Sequence, residues 1–473
     1  MSALRLDDTI AAIATPPGEG AIGMVRVSGP EALPIAEQLF RPSRPRRRTR
    51  QRWQSHRLYH GHVVAPESGA VIDEVLLAYM RGPRSYTRQD VVEITGHGGA
   101  ASVREVLRLV VAAGARPAEP GEMTLRAFLS GRIDLAQAEA VLDAVRARTP
   151  GALSLAAGQL AGGLSRAVSA VRQEILPVFA HLEATIDFAE DDVPPPASED
   201  LLQALAHAQV RLDGLLATAR AGQVHREGIR IAIVGKPNAG KSSLLNALLQ
   251  TDRAIVTPVP GTTRDVIEET LDLGGVPATL VDTAGITETD DPVERIGVDR
   301  SRNALAVADV ILLVLDTSTP LAGADREITR LIQEHQGSGA AIVVLSKADL
   351  PPCVTLQEAA ALLPDVPRVR ISSLTGEGLG SLRDTLRRAA LGEAGVQALA
   401  SGESVVTNAR HRDALERARQ ALAEAMRSVE ADLPADFVCI DLRASLAALG
   451  EISGESVTED VLAHIFSEFC IGK

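Results

Sequence analysis

The chain has 473 residues, 45% of them hydrophobic, a formal net charge of −13 and three cysteines, Cys353, Cys439 and Cys470. At about 150 residues per domain this predicts roughly three domains with sizeable cores. Three scattered cysteines exclude a disulfide framework or a cysteine-based zinc site and fit a reducing, cytoplasmic compartment, while the acidic balance argues against a surface coated in nonspecific nucleic-acid contacts.

The opening residues lack a basic segment leading to an apolar one, and no apolar run approaches about 18 residues, so neither secretion nor membrane spanning is expected. Residues 1–119 alternate short apolar runs with glycine turns: Ile22 to Val27, Gly61 to Val64, Val75 to Met80 and Val91 to Thr95. With one helix from about Ala101 to Ala113 they predict an α+β domain. Between these runs, Arg41 to Arg52 carries seven arginines broken by Pro42 and Pro45. The prolines make it a loop, which is either a grip for RNA phosphates or a solvated surface insertion. His60, His62 and His97 lack metal-ligand spacing and evident partner acids. From Glu122 the composition turns rich in alanine and leucine, and Ala136 to Arg148, Ala167 to Ala189 and Leu201 to Ala219 read as long amphipathic helices of a domain spanning 120–227. The acidic and proline-rich segment Asp191 to Pro196 must break that pattern.

Ile229 to Val234 then reads as a strand entering Gly235 to Ser242, Gly-Lys-Pro-Asn-Ala-Gly-Lys-Ser, ahead of a helix that begins near Ser243. Backbone N–H groups at such a junction, across Asn238, Ala239, Gly240, Lys241, Ser242 and Ser243, cradle nucleotide phosphates. Lys241 would reach the β- and γ-phosphates, and Ser242 would hold magnesium. Gly261-Thr262-Thr263-Arg264-Asp265 offers Thr263 as a second magnesium ligand and γ-phosphate sensor. Asp282, Thr283, Ala284 and Gly285 follow an apolar strand, which places Asp282 near magnesium and the Gly285 amide near the γ-phosphate. Ser346, Lys347, Ala348 and Asp349 follow Ala341 to Leu345, where Asp349 accepts two hydrogen bonds from guanine, a donor pair that adenine lacks. Ser372, Ser373 and Leu374 place a backbone N–H on the guanine oxygen. These elements predict an inserted α/β P-loop GTPase domain of Ras-like fold at 228–390, with helices resuming over 391–473. Two features depart from the usual pattern. Ser346 stands where the guanine-reading motif has asparagine, so it lacks the amide that would touch the base edge and tie this loop to the phosphate loop. Ile286 stands where small GTPases place a water-orienting glutamine, so charge stabilisation must come from elsewhere. Asn238 is either a ligand for a monovalent cation between phosphates or a plain polar loop residue.

Further segments extend a likeness over nearly the whole chain: Asp8 to Gly18, Pro83 to Thr87, His97 to Gly99, Pro120 to Glu122, Arg126 to Leu129, Asp134 to Ala140 and the tail Phe469-Cys470-Ile471-Gly472-Lys473. Through them the sequence resembles the MnmE (TrmE) family of tRNA-modification GTPases. That resemblance implies a homodimer paired through its N-terminal domains. It implies work with the flavoprotein MnmG (GidA) to add an aminomethyl or carboxymethylaminomethyl group at C5 of the wobble uridine in certain tRNAs. It implies 5-formyltetrahydrofolate or a related tetrahydrofolate in the N-terminal domain, held by Arg26, Glu93, Arg132 and Lys473, with Arg132 standing where lysine is expected. It also implies a potassium ion surrounded by Asn238, Thr257, Val259 and Thr262, in the cofactor loop that includes Pro258, Pro260 and Gly261. Glu294 would orient the attacking water and be the catalytic residue of GTP hydrolysis, while Thr287 replaces an arginine of the family. Cys470 beside Lys473 is placed for chemistry on the modification side, whereas Cys439 reads as a buried small hydrophobe. A ribosome-assembly GTPase and a noncatalytic GTP-controlled scaffold share the guanine-reading core, but the ribosome-assembly class does not ordinarily carry this N-terminal half or the Cys-Ile-Gly-Lys tail.

Overall fold

The computed structural model describes residues 6–43, 53–187, 196–252, 270–281, 305, 307–334, 340–400 and 405–473. The chain divides into two units, one holding residues up to Leu142 together with Ser453–Lys473, the other holding the described residues from Asp143 to Ile452.

In the first unit, apolar alternation builds a seven-stranded sheet. Its elements run β1 (Ile10–Ile13), β2 (Gly20–Ser28), α1 (Ala32–Leu39), β3 (Phe40–Pro42), β4 (Arg57–Val64), β5 (Val71–Met80), β6 (Val91–Gly98), α2 (Ala100–Ala112), β7 (Arg116–Pro117) and α3 (Glu122–Leu129). Strand order is β3-β4-β5-β6-β2-β1-β7, antiparallel except where β1 meets β7. Val25, Val27, Leu77 and Ile94 turn one sheet face onto Ile35 and Leu39 of α1 and Val106 and Val110 of α2. The expected strands and the α2 helix are therefore present, and α1 is an addition. Eight residues with Pro34 among them give a weak helical period, yet a proline in the first turn forfeits no intrahelical bond.

A buried charge network closes this unit. Arg126 of α3, 1% exposed, forms an ion pair with Glu122 one turn earlier (3.0 Å). It also pairs with Asp8, donates to the Asp8 carbonyl (2.8 Å) and reaches Gln89 Oε1 (3.1 Å). Arg116 adds pairs to Asp8 (2.8 Å) and Glu122 (2.6 Å). Burial alone would raise the Glu122 carboxyl, but the two guanidiniums and the Glu119 N–H hold it below the ordinary carboxylate range.

α4 (Leu135–Arg146) runs across the division at Leu142, and the second unit continues with α5 (Pro150–Leu160), α6 (Gly163–Asp187) and α7 (Ser198–Glu227). There follow β8 (Ile229–Val234), α8 (Lys241–Asp252), β9 (Thr270–Asp272), β10 (Pro277–Val281), β11 (Val310–Asp316), α9 (Gly323–Glu334), β12 (Ala340–Ser346), α10 (Leu356–Leu362), β13 (Arg368–Arg370) and α11 (Leu379–Ala400). α12 (Ala409–Glu430) and α13 (Ala435–Ser453) complete it, and α14 (Glu459–Ser467) belongs to the first unit. The six strands lie in the order β13-β12-β11-β8-β10-β9, parallel apart from the β9–β10 pair. Both faces are covered, as a parallel sheet requires. Ile231, Leu312 and Val344 meet Leu244, Leu248 and Leu382 on one side, while Ala232, Leu313 and Val343 meet Leu331, Ile332 and Ala359 on the other. The loops at the carboxyl ends of β8, β11, β12 and β13 consequently share one edge, where open α/β sheets bind ligands. Among the described residues no helix is long and apolar enough to cross a membrane.

Candidate functional site

The phosphate loop leaves β8 and enters α8 as its spacing requires. Gly235 passes so close to β11 that a Cβ there would fall 2.5 Å from the Val314 carbonyl, so only glycine fits. Asn238 (φ 61°) and Gly240 (φ 97°) take the left-handed turn that swings successive N–H groups toward one concavity. Lys241 Nζ donates to the Gly235 and Lys236 carbonyls at 2.9 and 2.8 Å, and Ser242 and Ser243 are exposed at the first turn of α8. Lys236 anchors the loop from outside, pairing at 3.0 Å with the buried Asp325 of α9. A glycine-lined turn with exposed hydroxyls, a lysine and a helix N-terminus fits a nucleotide triphosphate and its magnesium ion.

The segments expected to read the base, at Ser346 to Asp349 and Ser372 to Leu374, are joined to each other by hydrogen bonds. Asp349, exposed, follows β12, and its Oδ1 accepts from Ser372 Oγ at 2.5 Å. The Ala348 N–H donates to the Ile371 carbonyl at 2.9 Å, locking the two loops together. Leu374, 86% exposed, lies two residues beyond Ser372, and Ser373 lies between them, half-buried. Lys347 Nζ donates to Asp316 Oδ2 at 2.7 Å. Burial alone would raise the Asp316 carboxyl, but Lys347 and Ser318 hold it below its ordinary value. Asp316 was not among the sequence candidates, although an aspartate ending the apolar run Val310 to Leu315 was the available signal.

Ser346 requires a correction. The sequence reading denied it a tie to the phosphate loop because it lacks an amide. Its buried hydroxyl lies 2.6 Å from the Ala239 carbonyl and 3.1 Å from that of Leu315, so a short side chain makes the tie that a longer amide was expected to make. What serine cannot do is extend from there to the base edge.

In the first unit, Arg26 and Glu93 stand opposite each other on β2 and β6 and pair at 2.8 Å. Arg26 also donates to the Gly472 carbonyl at 3.2 Å. The Tyr86 ring lies 4.8 Å from the Arg132 guanidinium and 5.9 Å from that of Arg26, within cation–π range. Its hydroxyl bonds Thr124 at 2.9 Å. Arg26 thus joins Glu93 to the C-terminal tail and, with Arg132, lies against Tyr86, which the sequence offers only as part of a motif. A Cβ on Gly472 would fall 2.3 Å from the Ile13 carbonyl, so the tail lies directly on β1. The Lys473 N–H donates to the Cys470 carbonyl at 3.3 Å, and Cys470 is exposed while Cys439 is buried.

Two of the three histidines, His97 and His60, do have acidic partners, which corrects the expectation. His97 Nδ1 bonds Asp73 Oδ1 and His60 Nε2 bonds Glu74 Oε1, each at 2.6 Å. Asp73 is contributed by a different strand from His97, which sequence spacing does not display. Among the described residues no cluster of histidine, cysteine and acids is placed to hold a metal. Thr257, Pro258, Val259, Pro260, Gly261, Thr262, Thr263, Asp282, Thr283, Ala284, Gly285, Ile286, Thr287 and Glu294 lie outside the described residues, as do Arg44 to Arg52 and Asp191 to Pro195.

Comparison with known proteins places this geometry in context. The sequence profile of the MnmE helical domain matches residues 135–470, and that of the GTP-binding protein TrmE N-terminus matches residues 9–132. The chain is 50% identical to the tRNA modification GTPase MnmE of Roseiflexus sp. (strain RS-1), over 99% of this chain and 99% of that one. It is 46% identical to the protein of the same name from Alkaliphilus oremlandii (strain OhILAs), over 99% of this chain and 100% of that one. Among solved structures, Era in complex with MgGDPNP and 16S ribosomal RNA is 32% identical over 34% of this chain and 56% of that chain, with a TM-score of 0.27.

Proposed function

The chain belongs to the MnmE family of tRNA modification GTPases, and from that premise we propose that it drives addition of an aminomethyl or carboxymethylaminomethyl group to C5 of the wobble uridine of certain tRNAs, as a homodimer working with the flavoprotein MnmG (GidA). The observation that carries this reading is the meeting of Arg26, Glu93, Tyr86, Arg132 and the tail at Gly472, in a different unit of the chain from the guanine-reading core. The domain bounds expected from the sequence, at residues 119, 227 and 390, would separate the corresponding tasks: folate binding and dimerisation, a helical frame in two parts, and GTP hydrolysis. Arg26, Arg132, Glu93 and Lys473 would hold a tetrahydrofolate, which would supply the one-carbon unit. Arg132 presents a planar fork where a lysine would present a point charge, so it can stack on Tyr86 as well as pair with a carboxylate. Mass spectrometry of tRNA nucleosides from cells lacking the protein tests the reading. Loss of the wobble modification is expected, and an unchanged nucleoside profile alongside accumulating ribosome precursors would replace it with a ribosome-assembly role.

In the nucleotide domain, Lys241 and Ser242 bind phosphate and magnesium, Asp349 selects guanine, and Glu294 orients the water. Ser242 and Thr263 would hold magnesium, which would supply positive charge against the phosphate oxygens. Because Ile286 has no group to polarise water, Asn238, Thr257, Val259 and Thr262 would hold a potassium ion whose charge replaces an arginine finger. Hydrolysis should then run at least about tenfold faster in potassium than in sodium chloride at equal ionic strength. Equal rates in the two salts would remove the cation from the mechanism.

Cys470 has an exposed thiol in the tail that reaches the Arg26 site. Replacing it with serine should leave GTP hydrolysis unchanged and lower wobble modification by about tenfold or more. Normal modification in Cys470→Ser would reduce the residue to a packing role.

A further inference from the structure

β9 and β10 form a hairpin whose tip, Gly274–Gly275, is gripped from outside the nucleotide fold. Internally the turn is rigid: the Gly275 N–H donates to Asp272 Oδ1 at 2.6 Å and the Leu273 N–H to the Val276 carbonyl at 2.9 Å. Gly274 and Gly275 adopt φ of 63° and 98°, which L side chains rarely take. The Gly275 carbonyl accepts from Thr149 Oγ1 at 2.7 Å and from His225 Nδ1 at 3.0 Å. Thr149 is the N-cap of α5, and His225 lies in the last turn of α7. Both side chains are about nineteen-twentieths buried. Backbones close in at two further points. A Cβ on Gly151 would fall 2.7 Å from the Gly275 carbonyl, and one on Gly228 would fall 2.6 Å from that of Pro277.

His225 is an expensive residue for this position. Its Nε2 is buried with no hydrogen-bond partner among the described residues, a cost that an apolar side chain would avoid. Burial, with Arg387 nearby, holds the imidazole below its ordinary pKa despite the bond to Gly275 and the charge of Asp272. A carbonyl can only accept, so Nδ1 carries the proton that faces Gly275. The chemistry of the site points to that one bond as the reason for a histidine.

The hairpin occupies a particular place in the chain. β9 begins five residues after Asp265, which ends the Gly-Thr-Thr-Arg-Asp segment, and β10 runs directly into Asp282. We propose that Thr149 and His225 are positioning residues that clasp the hairpin tip, so that displacement of the two nucleotide-sensing segments is passed to α5 and α7. This rests on the assignment of 261–265 and 282–285 as the segments that respond to the γ-phosphate. By linkage the effect is reciprocal: contacts that restrain the hairpin also bias the choice between GTP and GDP.

The test uses the full-length protein with magnesium and either GDP or a nonhydrolysable GTP analogue. In the wild type, hydrogen–deuterium exchange of the hairpin and of the adjoining turns of α5 and α7 should differ between the two nucleotides. In T149V/H225F the hairpin should still respond while the response of α5 and α7 is lost, and the ratio of the two nucleotide affinities should shift by about fivefold or more. T149S and H225N, which keep a donor at each position, should restore both, and should the double variant not fold, the single variants T149V and H225F carry the same comparison. A wild-type helix response in these variants, or a parallel loss of both affinities with their ratio unchanged, would overturn the clasp and leave the residues a purely structural role. A wild-type hairpin that exchanges identically with both nucleotides would overturn the assignment of the sensing segments, and the clasp with it.

Discussion

Asp349→Asn is expected to shift nucleotide preference from GTP toward xanthosine triphosphate by about 10²- to 10⁴-fold, following two hydrogen bonds to a charged group at about 1.5–3 kcal/mol each and about 1.4 kcal/mol per tenfold. The carboxylate can accept from both guanine donors, the ring N–H and the exocyclic amine. An asparagine keeps one acceptor and presents an amide donor, which matches the second carbonyl of xanthine and faces the amine of guanine with a repelling proton. Ser372 Oγ holds one carboxylate oxygen at 2.5 Å, and the Ala348 N–H ties the loop to the Ile371 carbonyl, so the acceptor pair is presented without reorganisation. Competition between GTP and xanthosine triphosphate for the purified variant reads the effect directly. A variant that still favours GTP would show that base selection lies elsewhere.

The second large effect concerns the fold. Arg126→Met should cost about 3–5 kcal/mol, since it removes a fully buried guanidinium from Glu122 and Asp8 and leaves the Asp8 carbonyl and Gln89 Oε1 without that donor. Arg116→Met removes a partner that is 42% exposed and should cost about 1 kcal/mol or less. Chemical denaturation of the two variants distinguishes them, and equal losses would mean that burial does not set the energy of this network. A pH dependence follows with a definite sign. Asp8 and Glu122 both have folded pKa values below their ordinary ones, so the unfolded chain binds the greater number of protons in acid. Their stabilisation is fully present above the ordinary carboxylate range and fades as the pH falls through the depressed folded values. In Arg126→Met that acid limb should flatten.

The contrast between these two sites explains what the sequence could disclose. The phosphate loop is local: strand, turn and helix are consecutive, and each glycine declares a backbone need, so β8, Gly235, Gly240 and α8 follow from spacing alone. Asp349 and Ser372 follow as well, because each comes two or three residues after a strand of the parallel sheet, β12 or β13. Arg126 is different. Its partners are Asp8, 118 residues away, Gln89, and Glu122 on its own helix, and nothing in the sequence marks the arginine as buried. The motif Arg126 to Leu129 was quoted as a family likeness, and the network supplies a physical reason for its opening residue. Ser346 was misread for a similar cause: its chemistry was judged by what serine lacks, when the deciding fact was the proximity of the Ala239 carbonyl. Asp73 beside His97, and Tyr86 between Arg26 and Arg132, depend on strand register and on a loop path that periodicity does not encode.

The tail has a consequence for the order in which the molecule can be made. Phe466 and Phe469 pack with Leu125, Leu135 and Leu142, the Phe466 carbonyl fills the space over Gly121, and Gly472 receives the Arg26 guanidinium. A ribosome delivers these residues after the whole of the second unit. The first unit can lay down its sheet early, yet the hydrophobic seam along α3 and α4 stays open until α14 emerges. Closing it joins chain segments far apart in sequence, the slowest kind of contact to form. A nascent chain stalled before Ser453 would therefore carry a finished nucleotide switch on an unfinished partner, with Leu125 and Leu142 open to association with other chains.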